Sequence, residues 1–210
     1  MEDRNNCQIT FISQNTLEGI ARKTLKEYNP ALLTGEPCAI PIEKIAEKHF
    51  GLSIEFHCLR KNGLILGETI FDDALVPVYD CEAKRYDFVF IKGGTIILDE
   101  SLLCCKTDGR LRFTCAHELA HWLIHRELYL GSGETAALIN PKKSSEDNSM
   151  IERQADILGT ALLMPAGQVK RAFYRNMNTY RKDEPAVALA ELFDVSKQAM
   201  GIFLKSHNLI

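Results

Sequence analysis

The chain of 210 residues has no long apolar run. No stretch approaches the roughly 18 residues that a membrane-spanning helix needs. Met1 to Asn6 is polar and acidic, and no apolar core of the secretory-signal kind follows it. There is no excess of positive charge either: the formal net charge is -3 and the pI about 6.1. A field that draws in nucleic acid over the whole surface is thereby excluded. The chain also lacks Cys-x-x-Cys. Its seven cysteines, at 7, 38, 58, 81, 104, 105 and 115, are odd in number. A disulfide framework does not fit that count, whereas free thiols in a reducing cytosol do. Internal repeats and low-complexity tracts are absent. The expectation is a cytoplasmic protein without membrane contact. Hydrophobic residues make up 46% and charged residues 25%, which is ordinary for a globular domain.

The periodicities come in three blocks. Thr16 to Tyr28 and Pro41 to Phe50 read as helices, the second with Pro41 in its first turn and Gly51 past its end. From residue 52 the pattern turns to short β-rich runs: Leu52–Leu59, Leu64–Phe71, Leu75–Tyr79, Tyr86–Ile91 and Thr95–Leu98. Asn62-Gly63 and Lys92-Gly93-Gly94 are hairpin signals. Helices return at Leu111 to about Glu127, Ile151–Leu163, Gln168–Met177, Pro185–Phe193 and Ser196–His207. The polar segment 131–149 reads as a surface connector, with a lid over the site as the alternative. The fold class expected is α+β: a small, twisted, largely antiparallel sheet packed against one central helix and further helices. Residues 1–14 read as a tail and 15–210 as one domain, with a C-terminal helical part at about 166–210.

One stretch stands out: Arg112-Phe113-Thr114-Cys115-Ala116-His117-Glu118-Leu119-Ala120-His121-Trp122-Leu123-Ile124-His125. His117 and His121 are four apart, so on a helix both imidazoles face one metal ion. Glu118 lies about 100° round the axis, beside the metal, where a general base is needed. His-Glu-x-x-His is the spacing of a zinc site with two histidine ligands and a catalytic carboxylate. The bland reading is a structural histidine pair. Cys115 points about 200° away from His117 and is excluded as a ligand. His125 lies roughly 12 Å along the axis from His117, so it reads as a helix-end or supporting histidine. The better third ligand is Glu152. Asp156, four residues on, shares its face and can accept the remaining N–H of a ligand histidine. The alternative is an exposed charged face with Arg153 as partner.

Taken together, the motif helix, Glu152-x-x-Ala155-Asp156 and Ala161-Leu162-Leu163-Met164-Pro165 resemble the ImmA/IrrE family of metallo-endopeptidases, within the gluzincins. The resemblance runs from about residue 15 to the end and includes Phe193-Asp194-Val195-Ser196-x-x-Ala199-Met200. It implies zinc held by His117, His121 and Glu152, with Glu118 as base, and a specific protein substrate, often a helix-turn-helix repressor. It also implies Thr95–Leu98 as the sheet edge along which an extended peptide adds. Leu158-Gly159-Thr160 departs from the family's usual Phe-Ala-Ala and is expected to loosen the helix packing. Tyr129, Tyr174, His125 and His207 are the candidates for stabilising an oxyanion. A rival reading takes Ala188–Met200 as a DNA-binding helix-turn-helix and the protein as a regulator without proteolytic activity. The basic groups on that second helix and just after it are only Lys197, Lys205 and His207, too few for phosphate contacts to dominate. A catalytically silent metal-binding module is a third reading.

Overall fold

In the computed structural model of the protein, residues 10–61, 65–104, 109–130, 145–176 and 184–210 are described. The expected α+β architecture is present, a small sheet with helices against one face. Helix α1 spans Gln14–Tyr28. The Ser13 side chain caps it by accepting from the Thr16 N–H at 3.3 Å, one of the donors a helix start leaves unpaired. Leu17, Ala21, Thr24 and Leu25 form its buried stripe. A short turn α2 (Ala31–Thr34) follows. Then come α3 (Ile42–Lys44) and a wider π turn (Ile45–His49), where one continuous helix was expected.

Strands β1 (Ser53–His57), β2 (Gly67–Ile70) and β5 (Thr95–Asp99) form one sheet in the order β1-β5-β2. β1 runs parallel to β5 and β2 antiparallel to it. Strands β3 (Ala74–Asp80) and β4 (Arg85–Ile91) form a separate antiparallel hairpin. Of the three ladders two are antiparallel, as the strand pattern suggested. The pleat sorts the side chains of β5. Ile96 and Leu98 face the helices, while Ile97 joins Ile70, Leu59, Val76 and Ile91 in a second apolar cluster under the hairpin. The hairpin's outer face leaves Leu75, Phe88 and Phe90 exposed.

Helix α4 (Arg110–Ile124) lies between this sheet and α6 (Ser145–Leu163). Cys115, Ala116, Leu119 and Ala120 are fully buried along it. Its first turn is pinned from outside: the Arg112 guanidinium donates to Ile40 O at 2.6 Å and Asp194 O at 2.9 Å. The remaining helices are α5 (Arg126–Tyr129), α7 (Ala166–Asn176), α8 (Glu184–Phe193) and α9 (Lys197–Ser206). Leu189, Phe193, Met200 and Leu204 of the last two are buried in the main core. Ser196 caps α9, accepting from the Ala199 N–H at 3.1 Å.

Several expectations change. β5 is the central strand, flanked on both sides, so Thr95–Leu98 is not an edge; among the described residues β2 is one. Lys92-Gly93-Gly94 carries the chain from one sheet to the other and makes no hairpin, since β4 and β5 do not pair. β1 and β2 likewise do not pair with each other, and Asn62-Gly63 lies outside the described residues. Finally, Gly159 tightens the contact of α6 with α4. A Cβ there would stand 3.1 Å from His117 N and 3.2 Å from Ala116 C, so the missing methyl lets the two backbones approach. Residues 145–149, expected in the connector, already belong to α6; 131–144 lie outside the described residues.

Candidate metal centre

His117 and His121 project from the same face of α4, and Glu152 comes from α6 across the tight contact at Gly159. One ligand atom from each of the three lies within 4.8 Å of the others. The two Nε2 atoms are 3.0 Å apart. Glu152 reaches His117 Nε2 with Oε2 at 3.2 Å and His121 Nε2 with Oε1 at 3.6 Å. Two imidazole nitrogens and a carboxylate so close need a cation or a proton among them. Borderline nitrogen and carboxylate donors in this number suit a divalent zinc ion.

The far ring nitrogens support that fit. His117 Nδ1 lies 2.9 Å from Asp156 Oδ1. A carboxylate only accepts, so His117 carries a proton on Nδ1 and presents Nε2 to the cluster. Burial pulls the His117 imidazolium down, but hydrogen bonds to Asp156 and Glu152 and the charges of Glu118 and Glu152 outweigh it. The group is pushed up to about 10. His121 Nδ1 lies 3.0 Å from His125 Nδ1, buried, and His125 Nε2 lies 3.1 Å from Gln154 Oε1.

Glu118 is 5% exposed and is turned towards β2. The Thr69 hydroxyl donates to its Oε2 at 2.7 Å and lies 3.0 Å from its carbonyl oxygen. Gly67 makes this approach possible: a Cβ there would stand 2.6 Å from Glu118 Oε1 and 2.6 Å from Thr114 Cγ2. Asp156 also borders a cavity of about 880 Å³, whose walls include Phe113, Ile157, Ala161, Met164 and Phe203.

Of the five residues singled out from the sequence, His117, His121, Glu152 and Asp156 come together, while Glu118, next to His117 on α4, has its carboxylate on Thr69 of β2. His125 is not among the three clustered ligands; it stands at the C-cap of α4 with its ring buried behind His121. Tyr129 is buried in a stack with Phe71 at 5.1 Å, Tyr174 is exposed, and His207 stacks on Phe203 at 4.0 Å. Cys115 is buried in the main core, away from the cluster. Sequence reasoning missed Thr69, Gly67 and Gln154. Nothing local marks Thr69, because its role depends on strand register. Gln154 carried a signal, a polar residue on the buried stripe of a helix.

Residues 81–205, more than half of the chain, match the peptidase family model described as the IrrE N-terminal-like domain. No curated protein matches. Among solved structures, a Mycobacterium tuberculosis transcriptional regulator matches 89% of this chain and 45% of its own length, at 15% identity and a TM-score of 0.49. The chain thus spans less than half the length of that structure. Among the described residues, no helix is long and apolar enough to cross a membrane.

Proposed function

The chain belongs to the IrrE N-terminal-like peptidase family, and on that premise we propose that it is a zinc-dependent endopeptidase acting on a specific protein. The observation that carries the reading is the convergence of His117, His121 and Glu152 with Glu118 one residue along the same helix, its carboxylate held by Thr69. His117, His121 and Glu152 would hold the metal. When bound, zinc supplies Lewis acidity, polarising a scissile carbonyl and bringing the pKa of water towards about 7.

The chain's own residues do the rest. Glu118 takes a proton from the attacking water as its oxygen bonds to the carbonyl carbon. It then returns the proton to the leaving nitrogen as the C–N bond breaks. The Thr69 O–H donates to one carboxylate oxygen and so orients the other. Asp156 and His125 hold the two imidazoles in the tautomer that offers Nε2. Along β2, Glu68 and Ile70 point their backbone groups at β5, so Gly67 and Thr69 turn theirs outward by the alternation of the ladder. An extended peptide adds along that edge, next to Glu118, by strand addition. The cavity beside Asp156 takes a substrate side chain. The partner in this reading is a helix-turn-helix repressor, as the family resemblance implies. The buried apolar positions of α8 and α9 favour packing over a direct role in DNA binding.

Glu118→Gln is expected to keep zinc and lower cleavage by about 10²- to 10⁴-fold. Zinc content and the rate of cutting a substrate trapped on the inactive variant measure this. A variant that cuts at the wild-type rate would remove Glu118 from the role.

A further inference from the structure

His121 is backed by a chain of neutral hydrogen bonds whose direction can be read from its far end. The Gln154 amide donates from Nε2 to Thr10 O at 3.0 Å. A carbonyl only accepts, so this contact fixes which end of the amide is nitrogen. Gln154 Oε1 then faces His125 Nε2 at 3.1 Å, and the amide oxygen also only accepts. His125 therefore carries its proton on Nε2. Its other ring nitrogen, Nδ1, lies 3.0 Å from His121 Nδ1, and of two imidazole nitrogens so close one donates and the other accepts. A cation on His121 Nε2 leaves that ring's proton on Nδ1, so His121 is the donor, with its lone pair on Nε2 facing Glu152 and His117. His121 and His125 are each 2% exposed and Gln154 3%, so water does not compete for the two inner bonds, while the anchoring bond to exposed Thr10 lies nearer the surface.

We propose that His125 and Gln154 are positioning residues for zinc. They form a relay, anchored on the Thr10 carbonyl, that holds His121 with its proton on Nδ1 and its lone pair on Nε2. The inference rests on the metal-centre reading above and adds what sets its affinity. It also ties the stretch before α1 to the site: Thr10 is the acceptor at which the relay ends.

The test measures zinc affinity of the full chain by competition with a chromophoric chelator. His125→Leu is expected to weaken zinc binding by about 10- to 100-fold, the usual cost of losing an outer partner of a ligand histidine. Gln154→Leu should weaken it less, because His125 stays but either tautomer becomes open to it. His125→Asn should recover most of the affinity, since its Oδ1 stands where Nδ1 stood and can still accept from His121. Long-range ¹H–¹⁵N spectra of the histidine rings, recorded on chelator-stripped protein, should show the His121 proton on Nδ1. The proposal is overturned if His125→Leu and Gln154→Leu both bind zinc within about twofold of wild type, or if the spectra place that proton on Nε2. Should His125→Leu fail to fold, Gln154→Leu and the spectra of the wild type carry the decision. If the wild type binds no zinc, or binds it no better than Glu152→Gln, the metal-centre reading fails and takes the relay's function with it. Binding by the wild type with no loss in the two leucine variants sinks the relay alone.

Discussion

The two imidazoles of the cluster stand one turn apart on α4 and lean on opposite kinds of support. His117 faces Asp156 and Glu152, carboxylates whose side chains are 57% and 52% exposed. Behind His121 lie His125 and Gln154, both buried and neutral. The difference follows from solvation. A carboxylate at the water's edge keeps much of its hydration and can lend a full charge to an imidazole. The same carboxylate behind His121 would sit in the core, where an unpaired charge is very costly. A neutral relay fixes the tautomer there without burying a charge. The site thus has a charged half open to solvent and a neutral half fused to the core.

The largest effect that separates the halves is loss of each ligand in turn. His117→Ala and His121→Ala should both reduce zinc affinity by well over the roughly hundredfold that an outer partner is worth. Their metal-free stabilities should diverge. His121→Ala removes a buried ring and leaves the His125 Nδ1 lone pair without its donor. The cavity and the orphaned group together cost about 3 kcal/mol. His117→Ala returns Asp156 and Glu152 to water and should cost clearly less. Chelator-stripped variants compared by denaturant unfolding would decide it; equal losses would erase the distinction between buried and open halves.

A smaller effect tests how the two helices are brought together. Gly159→Ala would put a methyl 3.1 Å from His117 N, against backbone that cannot swing aside. Overpacking of this kind costs about 1–2 kcal/mol. The larger consequence is positional, since α6 carries Glu152, Gln154 and Asp156, one support for each half. Zinc affinity should fall several-fold with the thermal midpoint. An unchanged midpoint and affinity would show that α6 relaxes freely and that the close approach is incidental.

How much of this was legible beforehand depends on how local each signal is. His117, Glu118 and His121 could be read directly, because 3.6 residues per turn sets their faces without reference to any other element. Glu152 and Asp156 followed from the same periodicity applied to a second helix. The choice of edge strand could not be read. Nothing in Thr95-Ile96-Ile97-Leu98 says that β1 and β2 will flank it, since strand order is a property of the whole sheet. Thr69 was invisible for the same reason. Gly159 was misread as a loosening, because a missing side chain has no partner in the sequence that would show what fills its place.

The smallest effect is the dependence on pH, and it belongs to the charged half alone. In chelator-stripped protein the His117 imidazolium is raised from its ordinary value near 6.5 to about 10. Glu152 is displaced the other way: burial opposes its ionisation, but the hydrogen bond from the His117 imidazolium, together with its charge, holds it well below the usual carboxylate range. A group raised on folding contributes stability that is fully present below its unfolded pKa and is lost as pH rises through the folded one. The His117 contribution should therefore be intact below about 6.5 and fade towards pH 10. Zinc competes for the same Nε2, so its uptake at pH 8 should release a proton, and its affinity should climb until about pH 10. Calorimetry in buffers of different ionisation enthalpy would count that proton. Asp156→Asn removes the strongest hydrogen bond holding the charge and should move both windows down in pH. Gln154→Leu, acting on the neutral half, should lower zinc affinity with the windows left in place. If Asp156→Asn left both profiles unmoved, the carboxylate would not be what charges His117, and the two halves would differ in burial only.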